Sequence, residues 1–212
     1  MLSYIRPITP NISPVIDGDM NIIIAWLMVL AFAGLSAFFI ANYSADRFKA
    51  NPKKTAVCFI SIIALLTMMM LCFFGLSATT VKGIIMSLVF ILSSFEDIRT
   101  RECDDFLHVL ILVAAFIGIN KSSLIGMLSA AIFVFAVIMG TTIVSKGEIG
   151  GADIKMSVAC AFLLGLRRGL LGLMLGLTLA IVINVIKKRK NKKEGFPMIP
   201  YLAVGFMTAY FI

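Results

Sequence analysis

The feature that most constrains this chain is a succession of uncharged apolar runs separated by short charged loops. Residues 20–41 form one uncharged run of 22, and comparable runs follow at 55–78, 122–145 and 169–186. About 20 apolar residues in a helix span the hydrocarbon core of a bilayer. The chain is also 60% hydrophobic, with a mean hydropathy of +1.04. This composition excludes a soluble globular domain, and we expect an all-α, polytopic transmembrane helical bundle.

Four shorter apolar segments bring the predicted number of helices to eight. They lie at 83–95, 106–119, 154–166 and 196–212. Thirteen residues rise only about 20 Å as a helix, whereas the hydrocarbon core is about 30 Å thick. We therefore expect 83–95 and 154–166 to extend into their polar flanks, unless the bilayer thins around them.

Charge and motif content divide the chain into three predicted regions. Residues 1–19 read as a short external polar tail, and 20–80 as two transmembrane helices without a recognisable motif. Residues 81–212 contain the remaining six helices and every motif discussed below. On the segment 169–186, small residues recur at spacings of three or four, which predicts close packing of another helix there. These small residues are Gly169, Gly172, Gly176 and Ala180.

The distribution of basic residues predicts the orientation. Of the 19 Lys and Arg residues, 14 fall in four alternate loops, at 42–54, 97–105, 146–155 and 187–195. Loops rich in Lys and Arg stay in the cytoplasm, so we expect these four loops there and both termini outside. Because the formal charge of +8 is spread over loops between apolar runs, we expect the lipid bilayer as a partner and no nucleic acid.

Two aspartates stand beside short apolar segments, on the side predicted to be cytoplasmic. Asp97 follows 83–95, and Asp153 lies in GEIGGADIKM, just before a helix that we expect to begin at Ile154. The N-terminal dipole of that helix would point at Asp153. A bland alternative is that both are ordinary helix-end acids at the membrane interface. Two acids on one face, beside the paired glycines 150–151, favour a functional role, because carboxylates near a bilayer are costly.

Two neighbouring carboxylates suffice for hydrolysis of a peptide bond. Since both do not ionise easily, they share a proton, and one acts as a base on water while the other acts as an acid on the carbonyl. This chemistry needs no metal and no cofactor. The chain contains no Gly-x-Ser-x-Gly, His-Glu-x-x-His or phosphate-loop motif. Its four cysteines form no Cys-x-x-Cys pair.

Two stretches resemble the signature regions of the aspartic prepilin peptidases, FEDIRTRECDDFL (95–107) and GGADIKM (150–156). The first family pattern is an aspartate, then a basic, a small polar and a basic residue, then Ile-Pro and Asn or Asp. The residues that fit are Asp97, Arg99, Thr100, Arg101 and Asp105, while Cys103-Asp104 replaces Ile-Pro. The second pattern is Gly-x-Gly-Asp-x-Lys, and Gly150, Asp153 and Lys155 fit it, with Ala152 in the third place. FPMIPYLAVGF (196–206) is similar to the start of the family's last helix.

The resemblance implies a membrane-embedded aspartic endopeptidase that acts on the cytoplasmic side of the cell membrane. Its substrate would be a prepilin-like membrane protein, a type IV pilin or archaellin precursor, from which it removes a short basic leader. Asp97 and Asp153 would be the catalytic residues. Residues expected to support the site are Gly150, Gly151, Lys155 and Arg101. Since the chain lacks the cysteine-containing insert of larger members, we expect no N-methyltransferase activity. The resemblance leaves the oligomeric state and the particular pilin open.

Acidic residues between the third and fourth apolar segments offer a way to bind a basic leader. They are Glu96, Glu102, Asp104 and Asp105. We expect some of them, Glu102, Asp104 and Asp105 in particular, to pair with lysines of the leader. The alternative is that Asp104 and Asp105 cap the following helix, which is a common role for Asp.

A different class of function also fits two intramembrane acids. In a small transporter, Asp97 and Asp153 would form a proton or cation site, with Arg99 and Lys155 as counter-ions. Such transporters often contain an internal repeat, and none is recognisable in this sequence. A purely structural subunit of a secretion machine would leave the two acids unexplained.

Overall fold

The computed structural model describes residues 20–119, 121–144, 150–186 and 196–212. Within these ranges the chain forms eight α-helices and no strand. The helices are α1 (Met20–Arg47), α2 (Pro52–Phe74), α3 (Ala78–Thr100), α4 (Asp105–Ala115), α5 (Lys121–Val144), α6 (Gly151–Leu164), α7 (Leu166–Ile186) and α8 (Ile199–Phe211). The predicted all-α bundle of eight helices is confirmed. The predicted tail 1–19 and the basic loop 187–195 lie outside the described residues.

Five of these helices are long and apolar enough to cross a membrane, namely α1, α2, α3, α5 and α7. The other three, α4, α6 and α8, have 11, 14 and 13 residues. The prediction that short segments extend into polar residues is correct for α3, which has 23 residues. It also holds at the N-terminal side of α6, which begins at Gly151 and includes Asp153, whereas at the other side the helix ends at Leu164 because Gly165 turns the chain with φ 79°. A positive φ of this kind stops a helix and favours glycine.

The chain falls into two compact units, the first up to Ile84 and the second Ile85–Phe211. In the first unit, α1 and α2 pack against each other. Asn51 caps α2, because its side-chain oxygen accepts a hydrogen bond from the Lys54 N–H at 3.3 Å. Pro52 follows at the first helical position, where its missing N–H costs nothing.

In the second unit, glycines bring α7 and α8 into backbone contact. A Cβ added at Gly176 on α7 would lie 2.8 Å from the Cα of Leu202 on α8, and one at Gly172 would lie 3.0 Å from the Cα of Phe206. No side chain fits at such distances. The sequence prediction that the small-residue face of this helix packs closely against another helix is therefore confirmed.

The C-terminal half of α3 packs on α8 within the same unit. The rings of Phe90 and Phe206 stack with centroids 6.5 Å apart, and Ser87 Oγ lies 3.8 Å from Met207 Sδ. Because α8 is fixed by α7 along one side and contacts α3 in this way, its first residues lie at the end of α3. That placement brings the start of α8 to Asp97.

Candidate active site

Asp97 lies in the last turn of α3 and is only 7% exposed. Its Oδ2 accepts a hydrogen bond from the backbone N–H of Ile199, the first residue of α8, at 2.9 Å. Its main-chain carbonyl accepts from the N–H of Arg101 at 3.2 Å, and Arg101 ends the helix with a left-handed φ of 62°. A buried carboxylate held by a second helix differs from an ordinary interfacial helix-end acid, which is solvated.

The contribution of α8 to this site is a contact that the sequence analysis did not predict. Pro200 stands at the start of α8, where proline is favoured because it needs no N–H partner. The rings of Phe196 and Tyr201 stack 5.1 Å apart across this start. The proline-containing sequence FPMIP was the signal available. It placed the last helix at 196–212, three residues before the observed start at Ile199, and gave no sign of the side chain that the start would contact.

Asp153 lies in the first turn of α6. The helix begins at Gly151, three residues before the predicted start at Ile154, because the Gly150 carbonyl already accepts from the Ile154 N–H at 3.3 Å. Gly150 is the N-cap in an extended conformation. The prediction that Asp153 precedes the helix is thus wrong by one turn, although it still lies at the positive end of the helix dipole.

The two glycines before Asp153 have different steric environments. A Cβ at Gly150 would lie 3.0 Å from Oδ2 of Asp153, whereas a Cβ at Gly151 would meet nothing within 4 Å among the described residues. A side chain at position 150 would therefore press on the Asp153 carboxylate. A Cβ at position 151 would not press on this carboxylate.

Burial raises the pKa of Asp153 from its ordinary value near 4 to about 7. The negative charge of Asp97 contributes to the same shift, and a backbone hydrogen bond at Gly150 opposes it. The two aspartates predicted from the sequence are thus close enough to interact through their charges. The raised pKa allows Asp153 to keep a proton near neutral pH.

Cys103 lies near both aspartates, at the place where the resembling pattern has Ile. Burial raises the pKa of its thiol to about 12. Negative charges add to that shift, from Glu96, Asp97, Asp104 and Asp153. A thiol with such a pKa stays protonated at neutral pH, so Cys103 is a neutral wall of the site and not a nucleophile.

The acidic residues of the 96–105 segment have different surroundings. Glu96 is only 1% exposed, and its Oε2 accepts a hydrogen bond from the N–H of Asp104 at 3.2 Å. Asp104 is the N-cap of α4, but its side chain makes no capping hydrogen bond. Glu102 is exposed. Of the four acids considered for leader binding, Glu96 therefore faces the protein interior.

Lys155 contacts Asp105 and neither Asp97 nor Asp153. Its Nζ donates to Oδ1 of Asp105 at 2.7 Å, which links α6 to α4, and this contact lowers the pKa of Asp105. His108 is buried beneath this pair, with its Nδ1 3.3 Å from the carbonyl oxygen of Asp105. Burial lowers the pKa of His108, so the ring is neutral at physiological pH.

A cavity of about 420 Å³ lies between α4, α5 and α6. Its walls are mainly apolar, and they include Val109, Leu112, Phe135 and Val158. The polar end is formed by Asp105, His108 and Lys155. The cavity lies on the face of α6 that carries Ile154, Lys155, Val158 and Ala159, which differs from the buried face with Met156 and Cys160.

The fold and the site define a class of protein. It is a helical membrane protein in which a carboxylate at the C-terminal end of α3 interacts with a carboxylate at the N-terminal end of α6. The model of the type IV leader peptidase family matches residues 84–186, close to half of the chain. This segment includes Asp97 and Asp153. The resemblance to prepilin peptidases that the motifs indicate is therefore confirmed. None of the curated proteins and none of the solved structures is significantly similar to the chain.

Proposed function

We propose that this protein is an aspartic endopeptidase that removes a basic leader from prepilin-like membrane proteins. The coarser part, a membrane protein of the leader peptidase type, follows from the family match. The observation that supports the aspartic mechanism is the pairing of a buried Asp97 with Asp153, whose pKa is raised to about 7 partly by the charge of Asp97. One shared proton at neutral pH is the state that a carboxylate pair needs for peptide hydrolysis.

The surroundings of the two carboxylates suggest their roles. Asp153, with its pKa raised to about 7, is the carboxyl group that holds the shared proton, and its partner Asp97 accepts an N–H donor from Ile199. Asp97 is then the base that takes a proton from the attacking water, while Asp153 gives its proton to the carbonyl oxygen. When the tetrahedral intermediate collapses, the C–N bond breaks, Asp97 passes the proton from water to the leaving amine, and Asp153 recovers its own.

Substrate and location extend the proposal. The family match supports a leader peptide as substrate, and the apolar character of the chain supports a substrate that is itself in the membrane. Asp97 and Asp153 belong to the set of alternate loops that holds 14 of the 19 Lys and Arg residues, which supports a site on the cytoplasmic face of the cell membrane. We propose that pilin or archaellin precursors are cut there, without subsequent methylation.

The transporter alternative loses one of its counter-ions. It needs Lys155 beside an intramembrane aspartate, whereas Lys155 donates to Asp105, which is largely exposed. Arg99 lies over the ring of Phe95 at 5.4 Å. The peptidase proposal needs neither side chain as a counter-ion.

The test is leader removal from a tagged prepilin-like precursor by purified protein in detergent, followed as a gel shift. The same preparation in liposomes is assayed for proton or cation uptake. We expect cleavage by the wild type, none by Asp153→Asn, and no uptake by either. Uptake that depends on Asp153, without cleavage of any basic-leader precursor, would reject the peptidase proposal in favour of transport.

A further inference from the structure

We propose that Glu96 is a positioning residue, which holds the 101–104 loop so that Asp97 and Asp153 face each other. The inference rests on the proposed function for its kinetic readout. Glu96 directly precedes Asp97 in α3, yet its side chain turns into the protein and is 1% exposed. A fully buried carboxylate is costly unless it has partners.

One partner of Glu96 is a backbone group on the far side of the loop. The Asp104 N–H donates to Oε2 of Glu96 at 3.2 Å across eight residues of chain. The loop is also tied at its start, because Thr100 Oγ1 donates to the Glu96 carbonyl at 3.0 Å. Glu96 thus closes the connection between the end of α3 and the start of α4.

The position of α4 matters for Asp153, because α4 is linked to α6 by the next residue. Asp105 accepts the 2.7 Å hydrogen bond from Lys155, which lies two residues after Asp153. The series of contacts runs from Glu96 to the Asp104 N–H, then from Asp105 to Lys155. One end of this series is adjacent to Asp97 and the other is near Asp153. Loss of the Glu96 contact therefore alters how the two carboxylates are placed, without removing either.

The backbone at Asp104 offers a specific way to test this role. Its φ is −64°, which is the value that proline adopts. Proline has no N–H, so Asp104→Pro removes the donor at an unchanged φ, places a ring carbon against Oε2 of Glu96 and leaves that buried carboxylate without this hydrogen bond. In this chain, the hydrogen bond that the Asp104 N–H donates to Glu96 restrains the loop.

The experiment measures kcat and KM for leader removal, with each variant corrected for its folded fraction. We expect Glu96→Leu to lower kcat about 30-fold with KM within about twofold, since small misplacements of catalytic groups reduce kcat strongly. Glu96→Gln keeps an oxygen acceptor and should stay within about threefold of wild type. Asp104→Asn, which keeps the N–H and removes the charge, is the matched control for Asp104→Pro.

The decisive comparison is Glu96→Leu in the Asp104→Pro background. There the hydrogen bond is already absent and the substitution removes a buried carboxylate that has lost this donor, so we expect kcat to stay the same or to rise. An equal loss in both backgrounds, or equal losses for Gln and Leu at position 96, would overturn the positioning role. If Glu96→Leu does not fold, recovery of folded, active protein by adding Asp104→Pro supports the role, and failure to recover it rejects the role.

Hydrogen exchange separates this inference from the proposed function. The Asp104 amide should exchange at least about tenfold faster in Glu96→Leu than in Glu96→Gln, whether or not the protein cleaves any substrate. If the wild type cleaves no leader, the proposed function fails while the exchange result still reports on the loop. If exchange is the same in the two variants, the hydrogen bond does not hold the loop, and the inference fails by itself.

Discussion

Asp97 and Asp153 have the same side chain, but the protein surrounds them differently. Asp97 is buried at the C-terminal end of a 23-residue helix and accepts a hydrogen bond from the backbone of α8. Asp153 stands in the first turn of a 14-residue helix, half-buried, with a glycine as its neighbour and a pKa of about 7. Tertiary contacts hold the Asp97 carboxylate, whereas the local geometry at the start of α6 sets the surroundings of the Asp153 carboxylate. We propose that this asymmetry separates the base, Asp97, from the acid, Asp153.

Among the tests of this asymmetry, the pH dependence of cleavage has the largest expected effect. With the pKa of Asp153 raised to about 7, the shared proton is lost as the pH rises through 7. We expect kcat/KM to fall about tenfold per pH unit above that value. The rate should also fall at low pH, where both carboxylates are protonated, so the profile is bell-shaped and its two apparent constants belong to the pair. A rate that stays constant from pH 7 to pH 9 would contradict Asp153 as the acid.

A methyl group at Gly150 tests the local geometry of Asp153 alone. Because a Cβ there would lie 3.0 Å from Oδ2, Gly150→Ala should displace the carboxylate by a few tenths of an ångström and lower kcat by about tenfold. The matched control is Gly151→Ala, whose Cβ meets nothing within 4 Å among the described residues, and it should stay within about twofold. Both kcat values are measured on folded protein. Equal losses at the two positions would mean that the glycines serve backbone conformation and do not make room for the acid.

The acidic loop beside Asp97 gives the smallest expected effect. Glu102→Gln with Asp104→Asn should raise KM about threefold for a leader that carries lysines, because surface charge pairs contribute modestly to binding. The same double variant should leave KM unchanged for a leader whose lysines are replaced by glutamine. Equal effects on both leaders would indicate that these acids stabilise the start of α4 and do not bind the leader.

Much of the fold follows from the sequence because apolar runs of membrane length have few alternatives to a helix. The glycine face of α7 likewise predicts a close helix contact, since only small residues permit one. The ends of helices were less predictable. Charge marks where α3 becomes polar, but it does not mark where α3 ends, and the helix continues through Asp97 to Thr100. The start of α6 was missed by three residues, because a glycine carbonyl serves as the cap and leaves no polar side chain as a signal.

The sequence predicts the two acids of the site, but it does not predict the contacts that hold them. Asp97 and Asp153 stand out because carboxylates are rare between apolar segments. The Ile199 N–H that contacts Asp97 is 102 residues away, and a backbone donor has no sequence signature. Lys155 fits a motif, but its side chain pairs with Asp105. Spacing along one helix does not determine which neighbouring helix a long side chain reaches.

Non-additivity of Asp97→Asn and Asp153→Asn tests most directly whether the two carboxylates act as one catalytic unit. Leader removal is measured for both single variants and the double variant, at equal amounts of folded protein. Each single variant should lose at least about 1,000-fold in kcat, and the double variant should be no slower than the slower single one, since residues that act as a unit lose their function together. All three should remain folded, because each substitution relieves repulsion between crowded carboxylates. A folded Asp153→Asn that cleaves at a rate comparable to wild type, or losses that multiply in the double variant, would contradict the account.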